Sequence, residues 1–335
     1  MSPPRTVFFL LLCSSLYLFL VESSKLTLDY YSKSCPRFAQ IVQDVVTNKQ
    51  ITSPTTAAAT LRLFLHDCLP NGCDASILLS PTPFNPSPER ISDINLSLPG
   101  DAFDLLVRTK TALELACPAT VSCSDILSVA TRDLVIMVGG PYYHVRLGRR
   151  DSRLSRASLV EPFLPRANMT VSQLIALFSS RGFTAQEMVA LVGAHTIGFS
   201  HCKEFSAAIY NYSKSSFSSS GSSGYDPTYN PRFAQGLQKA CSNFRKDPTL
   251  SVFNDIMSPS KFDNLYYKNL PEGLGLLASD RAIYIDPRTR PFVEAYASDE
   301  GRFFQDFAAA MEKLSLYGVK TGQKGEIRRR CDEVN

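Results

Sequence analysis

The chain has no tryptophan and only four histidines among its 335 residues, so chemistry that needs an imidazole comes from a set small enough to inspect one by one. It has no stripe of Lys and Arg interleaved with aromatics. Its 35 basic side chains are scattered among 31 acidic ones, leaving a net charge of +4, a pattern that argues against nucleic-acid binding. The positive balance favours, at most, weak contact with acidic polymers, and the run Arg328–Arg330 reads as a solvated face. Sustained period-two alternation is rare, which argues against an extensive sheet, and there is no internal repeat. The chain's conspicuous apolar run, Val7 to Val21, is shorter than a bilayer requires, contains Ser14 and Ser15, and lacks a basic stop. With Arg5 before it and Ser23 and Ser24 after it, residues 1–24 read as a signal peptide and 25–335 as the mature protein, with no membrane span.

With 44% hydrophobic and 20% charged residues, the chain is long enough to bury a substantial core. Apolar residues recur at three-and-four spacing in Ala102–Cys117, Ser122–Val138, Val171–Ser180 and Arg302–Leu316, so the fold class is mainly α. Turn residues separate these stretches at Ser80–Pro88 and Gly139–Pro141. Residues 212–227, dominated by Ser and Gly, read as a flexible surface insertion rather than a domain boundary. Of the nine cysteines, Cys13 lies in the leader. The other eight form an even set suited to an oxidising compartment and to four disulfides. Eight cysteines allow 105 pairings, and only the short Cys68–Cys73 loop can be guessed from spacing.

Two of the histidines keep unusual company. Thr55–Cys68 reads as a helix, on which Arg62 and His66, four apart, point the same way. Asp67 is turned about 100° from His66 and faces elsewhere, so one helix end serves two environments. His195 ends a second helix that opens with the capping box Thr184-x-x-Glu187 and continues through Met188, Val189, Leu191 and Val192 toward Gly198. An imidazole presented from an apolar wall suits a metal ligand or a core histidine bonded to a carbonyl. Taken alone, the residues leave both open.

The longer motifs carry a resemblance. Arg62-Leu-Phe-Leu-His66-Asp67-Cys68 followed by Asn71-Gly72-Cys73-Asp74-Ala75-Ser76 resembles the distal signature of class III plant secretory haem peroxidases. Val192-Gly193-Ala194-His195-Thr196-Ile197-Gly198 resembles that family's proximal motif, and Leu147-Gly148-Arg149-Arg150-Asp151 a further segment of it. The resemblance spans about Leu26 to Asn335 and implies a two-lobed helical fold with haem b, one iron, between distal and proximal helices. It implies an enzyme that reduces hydrogen peroxide and oxidises small phenolic donors in two one-electron steps. In that scheme His66 moves the peroxide proton, Asn95 orients His66, and Arg62 offers a cation where negative charge develops. His195 would bind the iron, oriented by Asp280, and donors would approach near Pro165. The absence of tryptophan argues against the ascorbate and cytochrome c peroxidase branch, which resembles this fold but carries Trp beside both histidines.

The same resemblance implies two calcium ions. The distal one would use Asp67, Pro70, Gly72, Asp74 and Ser76, with Glu89 behind them. The proximal one would use Thr196, Asp255, Ser258, Lys261 and Asp263. It implies the disulfides Cys35–Cys117, Cys68–Cys73, Cys123–Cys331 and Cys202–Cys241, which use every mature cysteine. The leader and the short stretch after Cys331 favour a secreted protein of the cell wall over one of the vacuole, and a monomer is expected. Sequons at Asn168 and Asn211 are candidates for glycosylation, whereas one at Asn95 is expected to stay unused because its amide is needed against His66. Leu65 stands where the family usually has a distal Phe, and Leu69 also replaces an aromatic, so a more open distal wall is expected. A non-catalytic glycoprotein of this fold, or a calcium-binding module, would have no chemical need for the set Arg62, His66, Asn95, His195 and Asp280.

Overall fold

A computed structural model describes residues 26–210 and 224–335, and the signal-peptide reading of 1–24, Asn211 and most of the Ser/Gly insertion lie outside the described residues. Four helices form a first group: α1 (Phe38–Thr52), α2 (Thr56–Asn71), α3 (Gly100–Ala116) and α4 (Cys123–Met137). They pack on one another, α2 against α3 and α4, and α1 against α3 and α4. A second group follows: α5 (Val171–Ser179), α6 (Ala185–Val192), α7 (Ser206–Tyr210), α8 (Pro231–Ala240), α9 (Leu265–Asn269), α10 (Ala278–Ile285), α11 (Arg290–Ser298) and α12 (Glu300–Ser315). Within it α6 lies on α12 and α9 on α11, while α12 also touches α2 and so joins the two groups. The sheet is small, β1 (Phe199–His201) antiparallel to β2 (Ser251–Phe253), as the near absence of alternation predicts.

Local chemistry sets the helix starts, two residues earlier than the sequence reading for α12. Ser122 caps α4 by accepting from the Asp125 amide at 3.1 Å, and Asp299 caps α12 through the Arg302 amide at 3.0 Å. Thr184 and Glu187 form the reciprocal capping box of α6, with Glu187 N to Thr184 Oγ1 at 3.2 Å and Thr184 N to Glu187 Oε2 at 2.7 Å. The helix does not run on as an α-helix toward Gly198. It tightens at Gly193 into a 3-10 turn, Gly193–Thr196, that carries His195. Gly193 is needed there because a Cβ would collide with the Tyr267 hydroxyl and the Phe303 ring.

Four disulfides join Cys35–Cys117, Cys68–Cys73, Cys123–Cys331 and Cys202–Cys241, spanning 82, 5, 208 and 39 residues. The pairing implied by the resemblance is thus the observed one. The longest loop gives the largest loss of unfolded-chain entropy, on the order of 5 kcal/mol. The fourth disulfide belongs to a satellite core of Phe205, Ile209, Tyr229, Phe233, Leu237 and Leu276 at the edge of the second group.

The Leu147–Asp151 segment serves the scaffold. Arg149, fully buried, pairs with Asp125 at 2.9 Å and donates to the Ser315 carbonyl, tying α4 to the end of α12. Asp151 accepts from the Cys123 and Ser124 amides at 3.1 and 2.9 Å, neutralising the positive end of α4. The basic run 328–330 is a correction to the solvated-face reading. Arg329 and Arg330 are exposed, but Arg328 is buried and donates to the carbonyls of Ala75, Ser152 and Cys331. Those carbonyls lie away from water and need a donor, which outweighs the usual preference of Arg for solvent.

Candidate active site

A cavity of about 570 Å³ lies between α2 and the α6 turn, with Arg62 and His66 on one wall and His195 on the other. Its size is in the range of small-molecule and cofactor sites. Leu65, Phe64, Leu174, Phe178, Leu191 and Met311 give it apolar walls, while Arg166 and Lys203, both partly exposed, line it near solvent. Pro165 and His201 also line it.

On the α2 side, His66 is buried and its Nδ1 lies 2.7 Å from Asn95 Oδ1. The amide of Asn95 is oriented by its other end, since Nδ2 donates to the Glu89 carbonyl at 2.8 Å. The oxygen must therefore face the imidazole, so Nδ1 carries the proton and Nε2 is left as the free base. Burial, then the Arg62 charge, pull the His66 pKa down to about 3 against the opposing Asn95 bond, so the ring is neutral at ordinary pH. Arg62 Nε lies 3.4 Å from His66 Nε2, and its terminal nitrogens donate to the Ser97 carbonyl at 3.0 Å and hydroxyl at 2.8 Å. Ser97 had no signal in the sequence, because a short loop rather than helical spacing brings it there.

On the opposite wall, His195 Nδ1 lies 2.8 Å from Asp280 Oδ1. Asp280 is fully buried, and it also accepts from the Tyr266 hydroxyl at 2.9 Å and the Leu277 amide at 3.0 Å. Burial pulls the His195 pKa down, but the charge and hydrogen bond of Asp280 outweigh it and raise it overall. Burial likewise pushes Asp280 up, yet the His195 contact and the two other donors hold it below the usual carboxylate range. Nε2 of His195 makes no hydrogen bond to a described residue and His195 lines the cavity. An apolar slot flanked by a free imidazole nitrogen on one side and a base with a cation on the other fits haem, with His195 as the residue to hold the iron.

The two oxygen-rich sets also assemble. Asp67, Asp74, Ser76 and Glu89 are all buried, with Ser76 Oγ 3.0 Å from Glu89 Oε2 and Asp67 Oδ2 accepting from the Ala75 amide at 2.9 Å. Pro70 lies in the last turn of α2 and Gly72 follows it with φ +107°. Burial and the neighbouring Asp74 charge push Asp67 well up and Glu89 to about 7, as expected for carboxylates buried side by side. In the second set, Ser258 Oγ lies 3.3 Å from Asp255 Oδ2 and 3.0 Å from Asp263 Oδ1, and Thr196 Oγ1 lies 3.5 Å from the Lys261 carbonyl. Among the described residues no three His, Cys, Asp or Glu side chains are spaced to hold a metal ion by themselves, so a cation at either set needs carbonyl and hydroxyl oxygens too. That mixed donor set is the kind calcium takes. Asn168 is exposed, as a glycan acceptor must be, whereas Asn95 is buried.

The peroxidase family model matches residues 42–299. Among curated proteins the chain is 62% identical over 331 residues to Peroxidase 63 of Arabidopsis thaliana, covering 98% of this chain and 97% of that one. It is 63% identical over 318 residues to Peroxidase 31 of the same plant, covering 95% and 96%. Likeness over nearly the whole length agrees with a cavity already provided with two oriented histidines. The chain belongs to the peroxidase family, in its class III plant branch, and is a haem enzyme that uses hydrogen peroxide to oxidise donor molecules.

Proposed function

We propose that this protein is a secreted, monomeric haem b peroxidase whose donors are small phenols, with residues 1–24 as a removable signal and 25–335 as one catalytic domain. His195 would hold haem b, which when bound would supply the redox chemistry that links peroxide reduction to two one-electron oxidations of donors. His66 accepts the first peroxide proton at Nε2 and delivers it to the departing oxygen, because Asn95 holds the other proton on Nδ1. Arg62 supplies fixed positive charge beside that oxygen. Asp280 orients His195 and gives its imidazole partial anionic character, which strengthens it as an electron donor. Pro165 belongs to the wall along which phenols approach.

Two calcium ions complete the reading, the distal one on Asp67, Pro70, Gly72, Asp74 and Ser76 backed by Glu89, the proximal one on Thr196, Asp255, Ser258, Lys261 and Asp263. Thr196 is next to His195, so a cation there would tether the iron ligand's own turn. Export to the cell wall agrees with the four disulfides, and among the described residues no helix is long and apolar enough to cross a membrane. Weak binding to acidic wall polymers and a glycan on Asn168 belong to the same reading.

The observation that carries it is the pairing of two oriented histidines, His66 on Asn95 and His195 on Asp280, across one apolar cavity. The test is steady-state oxidation of guaiacol by the haem-loaded protein and its His66→Leu and Arg62→Leu variants. A loss of about 10²–10⁴-fold in kcat/KM for peroxide with unchanged haem content is expected. Variants as active as the parent would show that proton transfer is handled elsewhere.

A further inference from the structure

One of the distal carboxylates, Asp74, is paired with a cation supplied by a distant part of the chain. Asp74 is 1% exposed. Its Oδ1 accepts from the Ser76 amide at 3.0 Å, and its Oδ2 is in contact with the ammonium of Lys320, 246 residues further along. Lys320 sits on the segment that leaves α12, and that segment is pinned to the distal loop. The Cys73 amide donates to the Tyr317 carbonyl at 3.0 Å, the Arg150 amide to the Lys320 carbonyl at 2.8 Å, and Gly72 meets Gly318 so closely that neither tolerates a Cβ. The Lys320 side chain is 29% exposed, in contrast to Lys261 at the proximal set, which is 68% exposed and 3.6 Å from the Asp263 carboxylate. A lysine held by both its backbone and its partner is part of the loop's construction.

We propose that Lys320 sets the calcium affinity of the distal loop: its ammonium holds one oxygen of Asp74 while calcium is absent and must give that oxygen up when calcium binds. The inference rests on the calcium reading above. An ammonium and a calcium ion compete for the same carboxylate lone pairs, and a buried carboxylate cannot be shared without bringing two cations together in a poorly screened place. The ion pair therefore subtracts from calcium affinity, because binding must first break it. It also neutralises one of the crowded carboxylates, Asp67, Asp74 and Glu89, so the loop keeps its shape when the metal is withdrawn. Calcium at this site is thereby made exchangeable, while at the proximal set the longer and more exposed Lys261–Asp263 pair is a weaker competitor.

The experiment is calorimetric titration of calcium into the chelator-treated, haem-loaded mature protein and its Lys320→Met, Lys320→Gln and Lys320→Arg variants, with Asp74→Asn marking which site is distal. The expected result is one site, the one lost in Asp74→Asn, about tenfold tighter in Lys320→Met and Lys320→Gln and near the parent value in Lys320→Arg. Without calcium the two neutral variants melt below the parent, and saturating calcium closes that gap. Distal affinity within twofold of the parent in both neutral variants overturns the role of Lys320 and leaves the calcium reading standing, as does a charge-keeping Arg that tightens the site as much as Met. A parent protein that binds no calcium sensitive to Asp74→Asn overturns both. Should Lys320→Met fail to fold, Lys320→Gln against Lys320→Arg makes the same comparison.

Discussion

Replacing Asn95 by Ala removes the acceptor 2.7 Å from His66 Nδ1 and the amide that donates to the Glu89 carbonyl, without touching Arg62 or His195. The buried Nδ1–H then has no partner, which costs about 1–3 kcal/mol. Two escapes exist, and both are harmful. The proton can move to Nε2, leaving no free base toward the cavity, or the ring can keep Nδ1–H at the full cost. The Asn95 bond also works against the burial and the Arg62 charge that depress the His66 pKa, so its loss makes the imidazole a still weaker base. The reaction with peroxide should slow by about 5- to 150-fold, the rate equivalent of that energy. Stopped-flow absorption of the haem-loaded variant under excess peroxide measures the second-order rate constant directly, separate from donor oxidation. A constant within twofold of the parent, at equal haem content, would refute the claim that Asn95 controls the tautomer.

Because His66 stays neutral down to about pH 3, the peroxide rate constant should be flat from about pH 5 to pH 8, then fall as the pH approaches 3 and the ring becomes protonated. A midpoint near the unperturbed histidine value, about 6.5, would contradict this. Asp280→Asn removes the negative charge beside His195 and leaves the imidazole less able to stabilise ferric iron. Loss of a charge-assisted hydrogen bond worth about 1.5–3 kcal/mol, only partly expressed, raises the reduction potential by about 50 mV or more in a spectroelectrochemical titration, and an unchanged potential would sink the argument. Leu65 lines the cavity beside His66. If its smaller side chain admits bulkier molecules, Leu65→Phe lowers thioether sulfoxidation relative to phenol oxidation by about tenfold, the scale of one aromatic blocking an apolar pocket, and an unchanged ratio would remove that reading.

What the sequence disclosed and withheld follows from the range over which each interaction acts. The helix starts at Ser122 and Thr184 depend on residues three apart and were readable from local pattern, whereas the apolar spacing put the start of α12 at Arg302 and missed its cap, Asp299. The opposite facing of His66 and Asp67 follows from helix geometry and is realised, His66 toward the cavity and Asp67 toward the Ala75 and Ile77 amides. The partners Asn95, 29 residues from His66, and Asp280, 85 from His195, came from family motifs and not from spacing. Tyr266 on Asp280 and Ser97 on Arg62 had no signal at all, since a hydroxyl becomes functional only through where the fold delivers it. Arg328 was misread for the related reason that adjacent arginines usually face water, and only the assembled C-terminal segment reveals the buried carbonyls that claim one of them. The need for glycine at 193, where the helix passes into the 3-10 turn, was equally invisible, because Tyr267 and Phe303, which leave no room for a Cβ, come from other helices.

The central claim is that two oriented histidines enclose a haem that cycles with peroxide. Its most direct test is the absorption spectrum of the mature, haem-loaded protein before and after one equivalent of hydrogen peroxide, and again after guaiacol. A Soret band that falls with peroxide and returns in two steps with guaiacol is the predicted result. A protein that takes up haem yet shows no change with peroxide would contradict the roles of Arg62 and His66, and a folded protein that takes up no haem would contradict the role of His195.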